Sequence, residues 1–89
     1  MEYKNNENYT VIDTVTTNRY KKEENYTVVS VAPLILRTKA ADDGLEISMI
    51  KHGATIYCKS FTRDDHNDIW IRNNSGWLRA TRGKIVYVM

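Results

Sequence analysis

Three sets of residues carry chemistry worth weighing. Cys58 lies in sequence between His52 and His66, so the types needed for a thiolate–imidazole pair are present. No nucleophile elbow and no protease signature accompanies them. In a β-run Cys58 shares a face with Ala54 and Ile56, while Tyr57 and Lys59 lie opposite, which suits a small hydrophobe turned toward a core. Asp64-Asp65-His66-Asn67-Asp68 offers oxygen and nitrogen ligands to a hard cation, yet the Asp-x-Asp-x-Asp-Gly order of a calcium loop is absent. It reads as a solvated turn. The third set is aromatic: Trp70, Trp77 and six tyrosines. Each supplies a flat apolar surface with one polar handle, fit to wall a groove and bind peptides or sugars. Strand propensity alone accounts for most of the tyrosines. The balance favours recognition over catalysis, with no enzyme activity, metal or cofactor expected.

Composition narrows the classes. A chain of 89 residues is one domain at most, with a small core. Its one cysteine excludes an intramolecular disulfide and a thiolate zinc cluster. A net charge of +2 argues against a dedicated nucleic-acid binder. The distribution is less even, however. Arg72, Arg79, Arg82 and Lys84 fall in a C-terminal stretch without acids, while acids gather at Glu23-Glu24, Asp42-Asp43 and Asp64-Asp65. No apolar run is long enough to span a bilayer. Residues 1–8 are polar and lack a signal core, so a cytoplasmic place is expected of the chain as written, or the cell wall if it is released with a lytic system. Without a signal, the Asn-x-Thr/Ser matches at Asn8, Asn25 and Asn73 read as chance.

Short β-prone runs cut by turns predict an all-β fold. Strands are expected over residues 33–37, 54–60, 69–72, 76–80 and 85–88, with a shorter one within 45–50. Residues 38–44 form a long loop and residues 61–68 a charged one. Asn73-Asn74-Ser75-Gly76 and Arg82-Gly83-Lys84 are tight turns, where Asn and Gly tolerate positive φ. A short echo precedes them. Glu7-Asn8-Tyr9-Thr10-Val11-Ile12 returns seventeen residues later as Glu24-Asn25-Tyr26-Thr27-Val28-Val29. The two runs could pair as a hairpin.

The spaced pattern Leu34-Ile35-Leu36-Arg37, Lys51-His52-Gly53-Ala54-Thr55, Ile69-Trp70-Ile71-Arg72 and Ser75-Gly76-Trp77-Leu78 resembles the bacterial Src-homology-3-like (SH3b) family. The resemblance covers residues 26–89. It implies a small SH3-like antiparallel barrel there, with residues 1–25 as an additional N-terminal strand or hairpin covering its edge or offering that edge to a second copy in a homodimer. It also implies a groove. Trp77 takes the family's glycine-tryptophan position beside it, Tyr26 the place of a tyrosine that lines it, and Arg37 the place of the family's arginine. Arg37 has a structural reading too, as partner to Asp42 or Asp43. Trp70 supports the groove or belongs to the core.

Two functions follow from the resemblance and its setting. One is a non-catalytic cell-wall-binding module that recognises the peptide of peptidoglycan through Tyr26, Arg37 and Trp77, with Trp70 in support. The other is a standalone intracellular protein-binding module of phage or mobile-element origin, acting as inhibitor or adaptor of a host protein. Its Met1, its bias to Asn, Lys, Tyr and Ile, and the missing export signal fit that second reading.

Overall fold

Runs of β-branched and aromatic residues too short for a helical turn to repeat leave strand as the economical conformation. The computed structural model describes residues 19–89, 48% of which are strand. In chain order the elements are β1 (Glu24–Thr27), β2 (Leu34–Arg37), β3 (Glu46–Ile50), β4 (Thr55–Cys58), β5 (Ser60–Arg63), β6 (Ile69–Arg72), β7 (Trp77–Arg79), β8 (Thr81–Arg82) and β9 (Ile85–Val86). The all-β expectation is met. Among the described residues no helix is long and apolar enough to cross a membrane. The expected strand at Tyr9, Val11, Ile12 and Val15 lies outside the described residues.

Every pairing is antiparallel. β3-β2-β7-β6-β5 form one sheet, while β1-β4 and β8-β9 are two-stranded. The sheets form a small barrel-like globule without closing into a complete barrel. Period-two alternation decides what each strand buries. β2 turns Leu34 and Leu36 inward, β6 turns in Ile69 and Ile71, and β7 turns in Leu78. Ile56 and Cys58 of β4 meet them, together with Val28, Ala80 and Val88. Fully burying such an aliphatic side chain contributes roughly 1.5–3 kcal/mol.

The two ends of the described chain close this core. The Tyr20 hydroxyl donates to the Val88 carbonyl at 2.6 Å, and the Tyr20 ring meets Tyr26 edge-on, with centroids 5.2 Å apart. Val28 bridges Val88, and the Met89 amide donates to the Thr27 carbonyl at 2.8 Å. Burial pushes the Tyr20 phenol well above its ordinary pKa, so it stays a neutral donor. The core therefore reaches back to Tyr20, upstream of the boundary expected at residue 26.

Two local expectations are corrected. Residues 61–68 are not all loop. Phe61 pairs with Ile71 and Thr62 with Trp70 in β5, and Phe61 packs against the core, so the loop shrinks to residues 64–68. The turn at Asn73 also works differently. Its side-chain oxygen accepts from the amides of Ser75 (2.8 Å) and Gly76 (2.9 Å). Positive φ occurs instead at Glu23, Gly53, Asn67 and Gly83 among the described residues. Gly76 is needed for space, because a Cβ there would sit 2.6 Å from the Arg37 carbonyl oxygen and 2.8 Å from Ile47 Cδ1.

Gly76→Ala must push β7 away from β2 and is expected to cost about 1–3 kcal/mol. Urea denaturation reads this as a lower midpoint. An unchanged midpoint would mean that the two strands have slack.

Candidate functional site

Residues directly opposite one another on neighbouring strands share a face of the sheet. Trp70 lies opposite Arg79, Arg72 opposite Trp77, and Trp77 opposite Arg37. The face turned away from the core thus carries two indoles and three guanidiniums. Leu78, opposite Ile71, marks the other side.

These five side chains divide into two groups. Trp70 is only 1% exposed, and the Arg79 guanidinium lies over its ring, 4.5 Å from the centroid. The indole N–H donates to Asp64 Oδ2 at 2.9 Å. Arg79 reaches Asp68 at 3.0 Å and Asp42 at 2.9 Å, with Asp64 at 3.6 Å. Cation, ring and three carboxylates satisfy one another, so Trp70 acts as floor rather than as an open stacking surface. Of the two places expected for Trp70, groove support or core, its burial fits the core.

The turn at residues 64–68 is built to aim Asp64. Its Oδ1 accepts from the amides of His66 (2.8 Å) and Asp68 (3.0 Å), and Asn67 takes the positive φ that closes the turn. Burial pushes the Asp64 pKa up. The hydrogen bonds from Trp70, Asp68 and His66 and the nearby charge of Arg79 outweigh that, and the net shift is downward. Asp42 is also lowered, chiefly by its hydrogen bond from Arg79. The turn is therefore a structural bracket, where a solvated loop was expected. Asp68 is buried and accepts from the Gly83 amide at 2.7 Å, which ties in the β8–β9 turn. Among the described residues no group of His, Cys, Asp and Glu side chains is arranged to hold a metal ion.

Arg37, Trp77 and Arg72 form the second group. Trp77 is half-buried and Arg72 is exposed. Arg37 donates to the Gly44 carbonyl at 3.0 Å, bracing the loop of residues 38–44. The expected pairing with Asp42 or Asp43 is not a direct ion pair: Arg79 and Arg82 take Asp42, on which Arg37 acts only through its nearby charge, and Lys39 takes Asp43 at 3.5 Å. Arg72 has no ion pair or side-chain hydrogen bond among the described residues. Next to Arg37 opens a groove of about 210 Å³, with Trp70 and Arg79 beneath and Ile35, Pro33, Arg82 and Tyr87 around it.

Tyr26 is not brought to this face. It stands on β1, packs against the core, and its hydroxyl accepts from the Lys21 amide at 2.6 Å. Ile35, Arg72 and Tyr87 join the site instead, and the sequence offered a signal for two of them. Ile35 and Arg72 share the strand parity of Arg37 and Trp77. Tyr87 offered none, because it follows a turn and its placement depends on the chain's path after β9.

Cys58 is wholly buried, with its thiol 3.5 Å from the Ser60 carbonyl oxygen. Burial, with a smaller contribution from Glu24, raises its pKa, which opposes thiolate formation. His52 is exposed, and its Nδ1 donates to the Ser30 carbonyl at 3.1 Å.

No family model, curated protein or solved structure matches this chain.

A carboxylate whose folded pKa lies below its unfolded value stabilises the fold above that unfolded value, and the contribution fades as pH falls toward the folded pKa. Asp64 and Asp42 start from a reference of 3.8, so stability should drop steeply below about pH 4. Asp64→Asn should flatten that acid limb in thermal melts. Arg79→Ala leaves partly buried carboxylates without their cation and should cost about 3 kcal/mol or more at pH 7. An acid limb identical in wild type and Asp64→Asn would refute this account of the bracket.

Proposed function

We propose that the chain is a non-catalytic binding module whose ligand is an anionic extended peptide, with the peptide of peptidoglycan as its favoured form. The observation that carries the reading is the line Arg72–Trp77–Arg37 beside the groove. A half-buried indole flanked by two guanidiniums can stack on a peptide while the cations take its carboxylates. Supporting it, Arg37 lines the groove and forms no ion pair among the described residues, its guanidinium being braced on the Gly44 carbonyl. The resemblance of residues 26–89 to SH3b domains points the same way. Tyr26 drops out of the contact set, and Trp70 serves from beneath.

A second reading rests on a separate observation. β3 is an edge strand with Ile47 46% and Met49 61% exposed. An apolar edge that no other described strand pairs suits a protein partner that adds a strand. On this reading the chain is an adaptor or inhibitor of a host protein.

Purified protein should pellet with Gram-positive cell walls. Trp77→Ala should weaken that by about 2 kcal/mol, near thirtyfold in affinity, while Arg72→Ala should weaken it and reduce its salt sensitivity. Near-wild-type melting temperatures would separate lost contact from lost fold. If walls from several species leave the protein in the supernatant, the wall reading fails and the β3 edge becomes the surface to test.

A further inference from the structure

The echo is longer than the hexapeptide. Tyr3-Lys4-Asn5-Asn6-Glu7-Asn8-Tyr9-Thr10-Val11-Ile12 aligns with Tyr20-Lys21-Lys22-Glu23-Glu24-Asn25-Tyr26-Thr27-Val28-Val29 and matches it at seven of ten positions. The second copy is the segment that closes the core. Its seat is well defined. Tyr20 donates to Val88, Tyr26 meets the Tyr20 ring and accepts from the Lys21 amide, and Val28 is wholly buried opposite Val88. β1 pairs with β4 in the register Glu24↔Cys58, Asn25↔Tyr57, Tyr26↔Ile56 and Thr27↔Thr55.

Each buried or half-buried contact in that seat has its counterpart upstream. Tyr3 stands for Tyr20, Tyr9 for Tyr26 and Val11 for Val28. The substituted positions are permissive. Lys22 and Glu23 are exposed, and Val29 becomes the equally aliphatic Ile12. One substitution favours the upstream copy. Glu23 holds φ at +66° while its amide donates to the Cys58 carbonyl, and the upstream copy has Asn6 there. Asparagine enters this left-handed region far more readily than glutamate.

We propose that residues 3–12 are a second occupant for the seat that residues 20–29 fill on β4 and Val88 of the same chain, so that the protein exchanges between two registers seventeen residues apart. The resident copy reaches β2 through residues 30–33, the upstream copy through residues 13–33. The longer link costs entropy, but only as the logarithm of its length. The easier turn at Asn6 opposes that cost.

The exchange reaches the groove. The amides of Val29 (2.8 Å) and Ser30 (3.1 Å) donate to the Tyr87 carbonyl, and these bonds hold one groove wall, which includes Ser30, Ala32 and Pro33. When the upstream copy is seated, these residues belong to the link and that wall is released. The inference does not depend on what the groove binds.

The test uses full-length chains. Tyr20→Ala/Val28→Ala damages the resident copy, Tyr3→Ala/Val11→Ala damages the upstream copy, and the fourfold variant damages both. Substitution by the upstream copy predicts that the first variant melts within about 5 °C of wild type, the second is silent, and the fourfold variant loses at least ~10 °C or does not fold. If the first variant fails to fold, or matches the fourfold variant, the proposal is overturned. A cross-link reads the register directly. Residues directly opposite in an antiparallel pair lie within disulfide reach, about 4.5–5.5 Å between Cα atoms. Glu7→Cys in the Tyr20→Ala/Val28→Ala background should form an intramolecular disulfide with Cys58 on oxidation, mapped by peptide mass. Glu24→Cys in the wild-type background is the control. Either no bond from position 7, or one that joins two chains, would sink the same-chain exchange.

Discussion

The Arg79 guanidinium is the group that most of the sheet's outer layer depends on. It draws Asp42 from the loop of residues 38–44, Asp64 and Asp68 from the turn after β5, and the Trp70 ring into one cluster. Asp68 in turn holds the Gly83 amide. A chain this small cannot spread its stability over many layers. It therefore uses one desolvated cation to fasten three connections that would otherwise be tied only by backbone. Such a cluster need not stabilise more than well-packed apolar residues would. What it supplies is geometry, because a planar guanidinium between three carboxylates and a ring fits one arrangement of those loops.

That arrangement also sorts the outer face into used and available groups. Trp70 and Arg79 spend their polar atoms and faces on each other and on the acids. Two register positions along, Trp77 and Arg72 lie opposite each other as Trp70 and Arg79 do, yet no carboxylate of the described residues pairs with Arg72. The same aromatic–arginine pairing is thus structural at one end of the β6–β7 ladder and open at the other. Asp42, Asp64 and Asp68 decide which end is which. Arg37 extends the open row across β2, braced on Gly44 and bordering the groove.

Much of the inner layer was legible from sequence, because alternation is a local signal. Leu34 with Leu36, Ile69 with Ile71, and Cys58 with Ile56 all fall on the faces that period two assigns them. The outer layer was less legible, because its partners are long-range. Arg79 joins residues 37 positions apart from it, and nothing near Arg79 in the chain singles it out from Arg72 or Arg82. β5 was hidden by its neighbours, since the charges that follow Phe61-Thr62 obscure a strand whose packing comes from Ile71 and Trp70. Gly76 was read for its flexibility when its function is the lack of a side chain. Only the approach of β2, forty residues upstream, reveals that.

The closing contact is the most non-local of all. Tyr20 and Val88 are 68 residues apart, so their hydrogen bond closes a loop of nearly the whole described chain. Contacts of that span bear the full loop-closure cost before they return anything, and they are the last to be rewarded in folding. On the proposed exchange, the edge of β4 and Val88 form a seat that either copy can fill. A seat that fills late can be contested. Two decapeptides alike at seven of ten positions compete only for a seat of this kind, because a local hairpin would commit to its neighbour before the distant copy arrived. The repeat and the topology thus belong to the same physical question: which of two equal keys a late-closing core admits, and how far the shorter link of residues 30–33 biases the answer.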